Sequence, residues 1–152
     1  MTVRGQIQLG LSQINTSFSG AHYLPYATGL MQSYLSTYSS RPEKYVFLPP
    51  LFSRIDVDEA VAIYQDADIT GFSLYSWNER LSLSIAKKLN EINPEMLIIF
   101  GGPQVPDDAE AFLTMHPFID VAVHGEGEQV FFELIEANET MGVWKTPGIS
   151  YI

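Results

Sequence analysis

Cysteine is absent from the 152 residues. That excludes disulfides, thiolate zinc sites, cysteine nucleophiles and cysteine-ligated iron–sulfur clusters within this chain. Positive charge is scarce: 8 Lys and Arg stand against 18 Asp and Glu, a formal net charge of −10. The few cations are scattered, which argues against nucleic acid and against an anionic membrane surface as partners. No apolar run approaches the ~20 residues of a membrane-spanning helix. The first residues lack the apolar core of a signal peptide. These absences together point to the cytoplasm. The three histidines, His22, His116 and His124, have no metal-ligand spacing, and His116, beside Pro117, reads as a solvent-exposed loop position. GxGxxG after the first strand, GxxxxGKS/T and a Ser/His/Asp nucleophile order are all missing. No catalytic residue and no metal ligand is therefore assigned.

What is present suits a globular core: 46% hydrophobic and 17% charged residues in a length typical of one domain. Apolar runs alternate with helical patterns. Strands are expected at Gln6–Ile14, Tyr45–Leu48, Ile69–Leu74, Met96–Phe100 and Ile119–Val123. Thr16–Gly20 reads as a polar loop. Helices are expected over Leu24–Tyr38 (with Leu30, Tyr34 and Tyr38 at spacing four and Pro25 in the first turn), from Asp56 or Asp58 through Tyr64, and from a capping Asn78 with the stripe Leu81, Ile85, Leu89, Ile92. Two more are expected over Asp107–Met115, with Phe112 and Met115 inward, and Glu126–Ala137, with Val130, Phe131, Leu134 and Ile135 inward. Five alternations specify an α/β fold, a doubly wound, mainly parallel five-stranded sheet. Gly148–Ile152 reads as the opening of a further strand, so the chain is expected to be a piece of a longer protein.

In such sheets ligands sit beyond the carboxyl ends of the strands, at the switch in strand order. Four loops are candidates. Gly101-Gly102-Pro103 lets a ligand approach the backbone, or is a tight strand-to-helix turn. His124-Gly125-Glu126-Gly127-Glu128 opens a helix, where free amides favour an anion or a carbonyl. Its two carboxylates disfavour a phosphate there, and serve as an acid–base pair or as simple helix-start charges. Leu74-Tyr75-Ser76-Trp77-Asn78 places two aromatics at the expected ligand edge, where they can stack on a planar ligand or pack under the loop. Asn15–Gly20 is a polar ligand loop or a connection.

Taken in order, these pieces resemble the N-terminal cobalamin-binding domain of B12-dependent radical S-adenosylmethionine (SAM) proteins. The likeness runs from Ile69 to Ala137. It rests on Gly71-Phe72-Ser73-Leu74-Tyr75-Ser76-Trp77-Asn78, Ile98-Ile99-Phe100-Gly101-Gly102-Pro103 and Val121-Ala122-Val123-His124-Gly125-Glu126-Gly127-Glu128. Cobalamin domains of the methionine-synthase type carry Asp-x-His-x-x-Gly in the first loop, and its His ligates cobalt. Here Asn15, Ser17 and Gly20 hold those places. The resemblance therefore implies a corrinoid bound base-off, without a histidine ligand. It implies contacts from Asn15, Thr16, Ser17, Ser73, Leu74, Tyr75, Trp77, Asn78, Gly101, Gly102, Pro103, Gly125, Glu126, Gly127 and Glu128. It also implies a C-terminal radical SAM domain in the parent protein, with a 4Fe-4S cluster and S-adenosylmethionine, whose reaction could be methyl transfer. Two alternatives remain from the residues: a scaffold domain of such a protein that binds no cobalamin, and a flavodoxin-like flavin protein.

Overall fold

The computed structural model describes residues 5–138 and 146–152. In chain order it contains β1 (Ile7–Ser12), β2 (Ser17–Phe18), β3 (Ala21–His22), α1 (Tyr26–Tyr38), β4 (Tyr45–Phe47), α2 (Val57–Tyr64), β5 (Ile69–Ser73), α3 (Glu79–Ile92), β6 (Leu97–Gly101), α4 (Glu110–Met115), β7 (Val121–Val123), α5 (Gly127–Asn138) and β8 (Ile149–Ser150). The main sheet has the order β4-β1-β5-β6-β7-β8. Five strands are parallel, and β8 joins β7 antiparallel. The expected fifth-strand edge is thus covered by a sixth: Ile149–Ser150 folds back onto β7. The order places the first strand between the second and the third of the parallel set. The switch point lies at the ends of β1 and β5, where a crevice is left open.

Strand register explains both faces. Leu11, Gly71, Ile99 and Val121 are mutual neighbours in one row. They turn toward α1 and α5, where Leu35, Phe131, Leu134 and Ile135 close one core. The next row, Ser12, Phe72, Phe100 and Ala122, turns the other way. There Ala60, Tyr64, Ile85 and Leu89 from α2 and α3 form the second core. Alternation of side chains along each strand is the cause. Continuous apolar runs such as Leu97–Phe100 follow from burial on both faces. Gly10 fits beneath the ring of Tyr64, where an added Cβ would lie 2.9 Å from ring carbons. The Tyr64 hydroxyl donates to the Leu11 carbonyl at 2.7 Å and accepts from the Leu51 N–H at 3.1 Å.

Several boundaries and faces differ from the sequence reading. Thr16–Gly20 is not a plain loop but part of a hairpin, with Ser19 and Gly20 at φ 51° and 77° turning β2 into β3. Helix α1 forms, yet Thr28 and Leu35 are its buried residues while Tyr38 is 62% exposed. Helix α4 begins at Glu110 rather than Asp107, and Met115 is exposed, Leu113 taking the inward position. Ile92, at the end of the α3 stripe, is exposed as well. His116 is half-buried, edge-on to Phe112 with centroids 5.1 Å apart and 5.6 Å from Phe118. That aromatic sandwich replaces the expected open loop position.

Asp120 ties the start of β7 to β6. Its carboxylate accepts from the Ile98 N–H at 2.7 Å, and its own N–H donates to the Ile98 carbonyl at 3.0 Å. Burial holds this carboxyl above the usual range, with the Ile98 bond opposing. A raised folded value favours the protonated form, so the group's contribution is full below its unfolded value near ~3.9 and is lost as pH rises through the folded value. Asp120→Asn keeps an acceptor for Ile98 and removes the charge. Thermal melts should show the variant above the parent at pH 7 and level with it near pH 4. A lower midpoint at pH 7 would mean that the charged hydrogen bond outweighs burial.

Candidate functional site

A cavity of about 380 Å³ lies at the carboxyl ends of β1, β5 and β6, between the sheet and the helices α1 and α5. It exists because side chains are missing from the sheet. On the face turned to α1 and α5, the two central strands carry Gly71 and Ser73 on β5 and Gly101 on β6. A glycine inside a strand weakens the strand and often marks a close approach of something else. The rows on either side are ordinary aliphatics: Leu11, Ile99 and Val123. Met31 from α1 and Phe131 from α5 form the roof. A Cβ at Gly71 would come within 3.0 Å of Leu11 and 3.6 Å of Phe131, and one at Gly127 within 3.1 Å of Met31. The trough is therefore as wide as these glycines allow.

The mouth is built by backbone turns. Gly102 has φ 103°, and a Cβ there would lie 2.7 Å from the Leu74 carbonyl oxygen. Only glycine fits that crossing of the β5 and β6 loops. The Leu74 N–H donates to the Gly101 carbonyl, and the Gln104 N–H to the Leu74 carbonyl. Gly125 turns at φ 73°, bringing Gly127 and Glu128 to the rim at the start of α5. Asp107 and His124 also reach the rim, and His124 Nε2 lies 2.7 Å from the Ser150 hydroxyl of the added edge strand. Among the described residues no Lys or Arg lines the cavity. Buried Ser12 also lines the cavity, and its hydroxyl has no hydrogen-bond partner among the described residues. Its register with Phe72 turns it toward α2 and α3 rather than under α1 and α5.

Of the residues expected from the sequence, Ser73, Tyr75, Gly101, Gly102, Pro103, Gly125, Gly127 and Glu128 come together around this cavity. The others do not. Asn15, Thr16 and Trp77 line a separate, more open depression of about 460 Å³ that shares Tyr75 with this cavity. Ser17 is exposed on the hairpin. Glu126 lies on the outer groove between α1 and α5. Leu74 is fully buried in the opposite core. Asn78 is 1% exposed and does not cap α3 with its side chain. Its Nδ2 donates to the carbonyls of Ile14 and Ser73, and its Oδ1 accepts from the Tyr75 N–H. It braces the loop instead of facing a ligand. The ring of Tyr75 stacks on Trp77, centroids 4.6 Å apart and planes 14° apart. Trp77 Nε1 donates to the Ile14 carbonyl.

Sequence reasoning missed Leu11, Thr28, Met31, Gly71, Ile99 and Val123 as cavity residues. Gly71 alone carried a readable signal, a glycine in the middle of an apolar strand. The helix residues could be found only by knowing which face of α1 packs on the sheet.

The model of the B12 binding domain family matches residues 44–135, well over half of the chain. The chain belongs to the B12 binding domain family. Over 113 residues, 74% of this chain, the B12 binding domain is 39% identical to 2-(S-pantetheinyl)-carbapenam-3-carboxylate methyltransferase of Streptantibioticus cattleyicolor. Over the same length it is 36% identical to the cobalamin-dependent radical SAM methyltransferase TokK of Streptomyces tokunonensis. An uncharacterized methyltransferase of Pyrococcus horikoshii is 35% identical over 72 residues, 47% of this chain and 16% of the relative. The chain spans 17% of the length of the first two relatives. The family match favours cobalamin over the flavin alternative. No described helix is long and apolar enough to cross a membrane.

Proposed function

We propose that this B12 binding domain holds a corrinoid base-off, its nucleotide tail extended into the trough between the sheet and α1 and α5. The observation that carries this reading is the coincidence of Gly71, Ser73 and Gly101 on one sheet face beneath Met31 and Phe131. The resulting space falls within the range of small-ligand sites, ~300–1,000 Å³, and is walled mainly by apolar side chains. The corrin ring would rest over the strand ends near the Tyr75–Trp77 stack and the Gly125–Glu128 turn. In the first loop Ser17 holds the place of the cobalt-ligating histidine of methionine-synthase-type domains, and serine offers no imidazole. The tail base, displaced from the metal, then needs a buried site of its own, and the trough supplies one.

By analogy with the relatives, we infer that the parent protein is a cytoplasmic radical SAM enzyme. Its C-terminal domain would hold a 4Fe-4S cluster and S-adenosylmethionine. A bound corrinoid would supply the cobalt centre for methyl transfer. The residues that line the trough would orient that group and exclude water from its tail.

The direct test is titration of the purified 152-residue chain with hydroxocobalamin, with free ligand removed by gel filtration. Retained corrinoid with a base-off visible spectrum is expected. A well-folded domain that retains none would favour the scaffold alternative. A base-on spectrum would refute the extended tail.

A further inference from the structure

We infer that the cavity sorts corrinoids by the base at the end of the tail, accepting benzimidazole or phenolic bases and rejecting purines. The inference rests on the proposed placement of the tail and goes beyond it by naming the ligand class. Its basis is a count of hydrogen-bonding groups along the walls. Leu11, Met31, Ile99 and Phe131 offer none beyond a thioether. The backbone of β5 and β6 is committed to the parallel ladder that joins them. Thr28 is buried, and its hydroxyl proton is spent on the Pro25 carbonyl at 2.8 Å. Ser73 is left as the hydroxyl on the sheet face of the trough that can donate to an incoming ring. Tyr75, Asp107 and His124 on loops and Glu128 in the first turn of α5 stand at the mouth, where the corrin, ribose and phosphate would pass, and two of them are acids. Ser12 also lines the cavity, but its register with Phe72 turns its hydroxyl to the α2 and α3 side.

One donor matches one acceptor. A benzimidazole attached through one nitrogen keeps a single free ring nitrogen, and a phenolic base keeps none. A purine attached the same way keeps three ring nitrogens, and adenine adds an amino group. At least two acceptors would then be buried without donors. Each buried polar group left unpaired lowers affinity by roughly ten- to a hundred-fold. Dimethylbenzimidazole and adenine are both bicyclic and similar in size, so the difference between them is polar rather than steric.

The experiment is a set of equilibrium titrations of this chain with cobalamin, p-cresolylcobamide, adeninylcobamide and cobinamide, which lacks the base. p-Cresolylcobamide, which leaves only the Ser73 hydroxyl unpaired, should bind within about tenfold of cobalamin. Adeninylcobamide should bind at least about tenfold more weakly than cobalamin, and cobinamide should also be weaker. Adeninylcobamide binding as tightly as cobalamin, with cobinamide weaker than both, overturns the sorting and leaves the tail placement standing. Cobinamide binding as tightly as cobalamin overturns the tail placement and the sorting with it. Failure of all four to bind a folded chain overturns the corrinoid reading itself.

Discussion

Gly101→Leu should abolish tight binding of cobalamin while leaving the domain as stable as before or slightly more so. Gly101 lies on β6 beside Ser73, at the point where the trough opens. Its φ is not in the left-handed region, and a Cβ there would meet Val123 at 3.6 Å, an ordinary contact. The backbone therefore accepts a side chain, and the branched end of a leucine projects into the space reserved for the base. An aromatic group of that size buries ~150 Å² or more. At ~25 cal/mol per Å² its exclusion forfeits about 4 kcal/mol, roughly a hundred- to a thousand-fold in affinity. Replacing a strand glycine also removes an entropic penalty of ~0.5–1 kcal/mol, so the urea midpoint should hold or rise. Cobinamide, without a base, should bind the variant and the parent alike. A variant that keeps parental affinity for cobalamin would show that the trough is not the tail site.

This pairing of lost binding with unimpaired folding bears on how much of the molecule was legible in its sequence. The parallel sheet was legible because each strand is a short apolar run and each crossover carries a helical stripe, as in Ile69–Ser73 followed by Leu81, Ile85 and Leu89. The glycine turns at Gly101–Gly102 and Gly125–Gly127 were legible for a related reason, since a Cβ at Gly102 would strike the Leu74 backbone and Gly125 has a positive φ. What escaped was decided by neighbours distant in sequence. The inward face of α1 runs through Thr28, Met31 and Leu35, one position removed from the tyrosine stripe that the periodicity favoured, because α5 packs alongside it. Gly148–Ile152 was legible as a further strand, but nothing local says that Ile149–Ser150 pairs antiparallel with β7. Asn78 stands at a helix start and so resembles a cap. Its true partners, Ile14 and Ser73, are known only once β1 and β5 lie side by side.

Asn78→Ala is for that reason expected to be the most damaging single change to the fold of the site. The wild-type carboxamide satisfies three backbone groups at once, at 3.0, 2.9 and 2.9 Å, while only 1% exposed. Alanine leaves the carbonyls of Ile14 and Ser73 and the N–H of Tyr75 without these partners. An unpaired buried group costs ~1–3 kcal/mol, and such losses do not add fully. Ile14 also keeps the Trp77 indole at 3.2 Å, and the Tyr75 turn lies near enough to solvent for water to enter. A loss of about 3 kcal/mol follows, a fall of roughly 6–12 °C in Tm for a domain of this size. Asn78→Asp should fare no better, because it keeps the acceptor for Tyr75 but sets a carboxylate against two carbonyl oxygens. The loop would also lose its hold on the Tyr75–Trp77 stack. Cobalamin and cobinamide should therefore weaken together in Asn78→Ala, whereas Gly101→Leu separates them. A fall in Tm of less than ~2 °C would mean that the carboxamide is not the brace its geometry describes. Equal weakening of the two corrinoids, set against their separation in the glycine variant, distinguishes a residue that positions the loop from one that opens the trough.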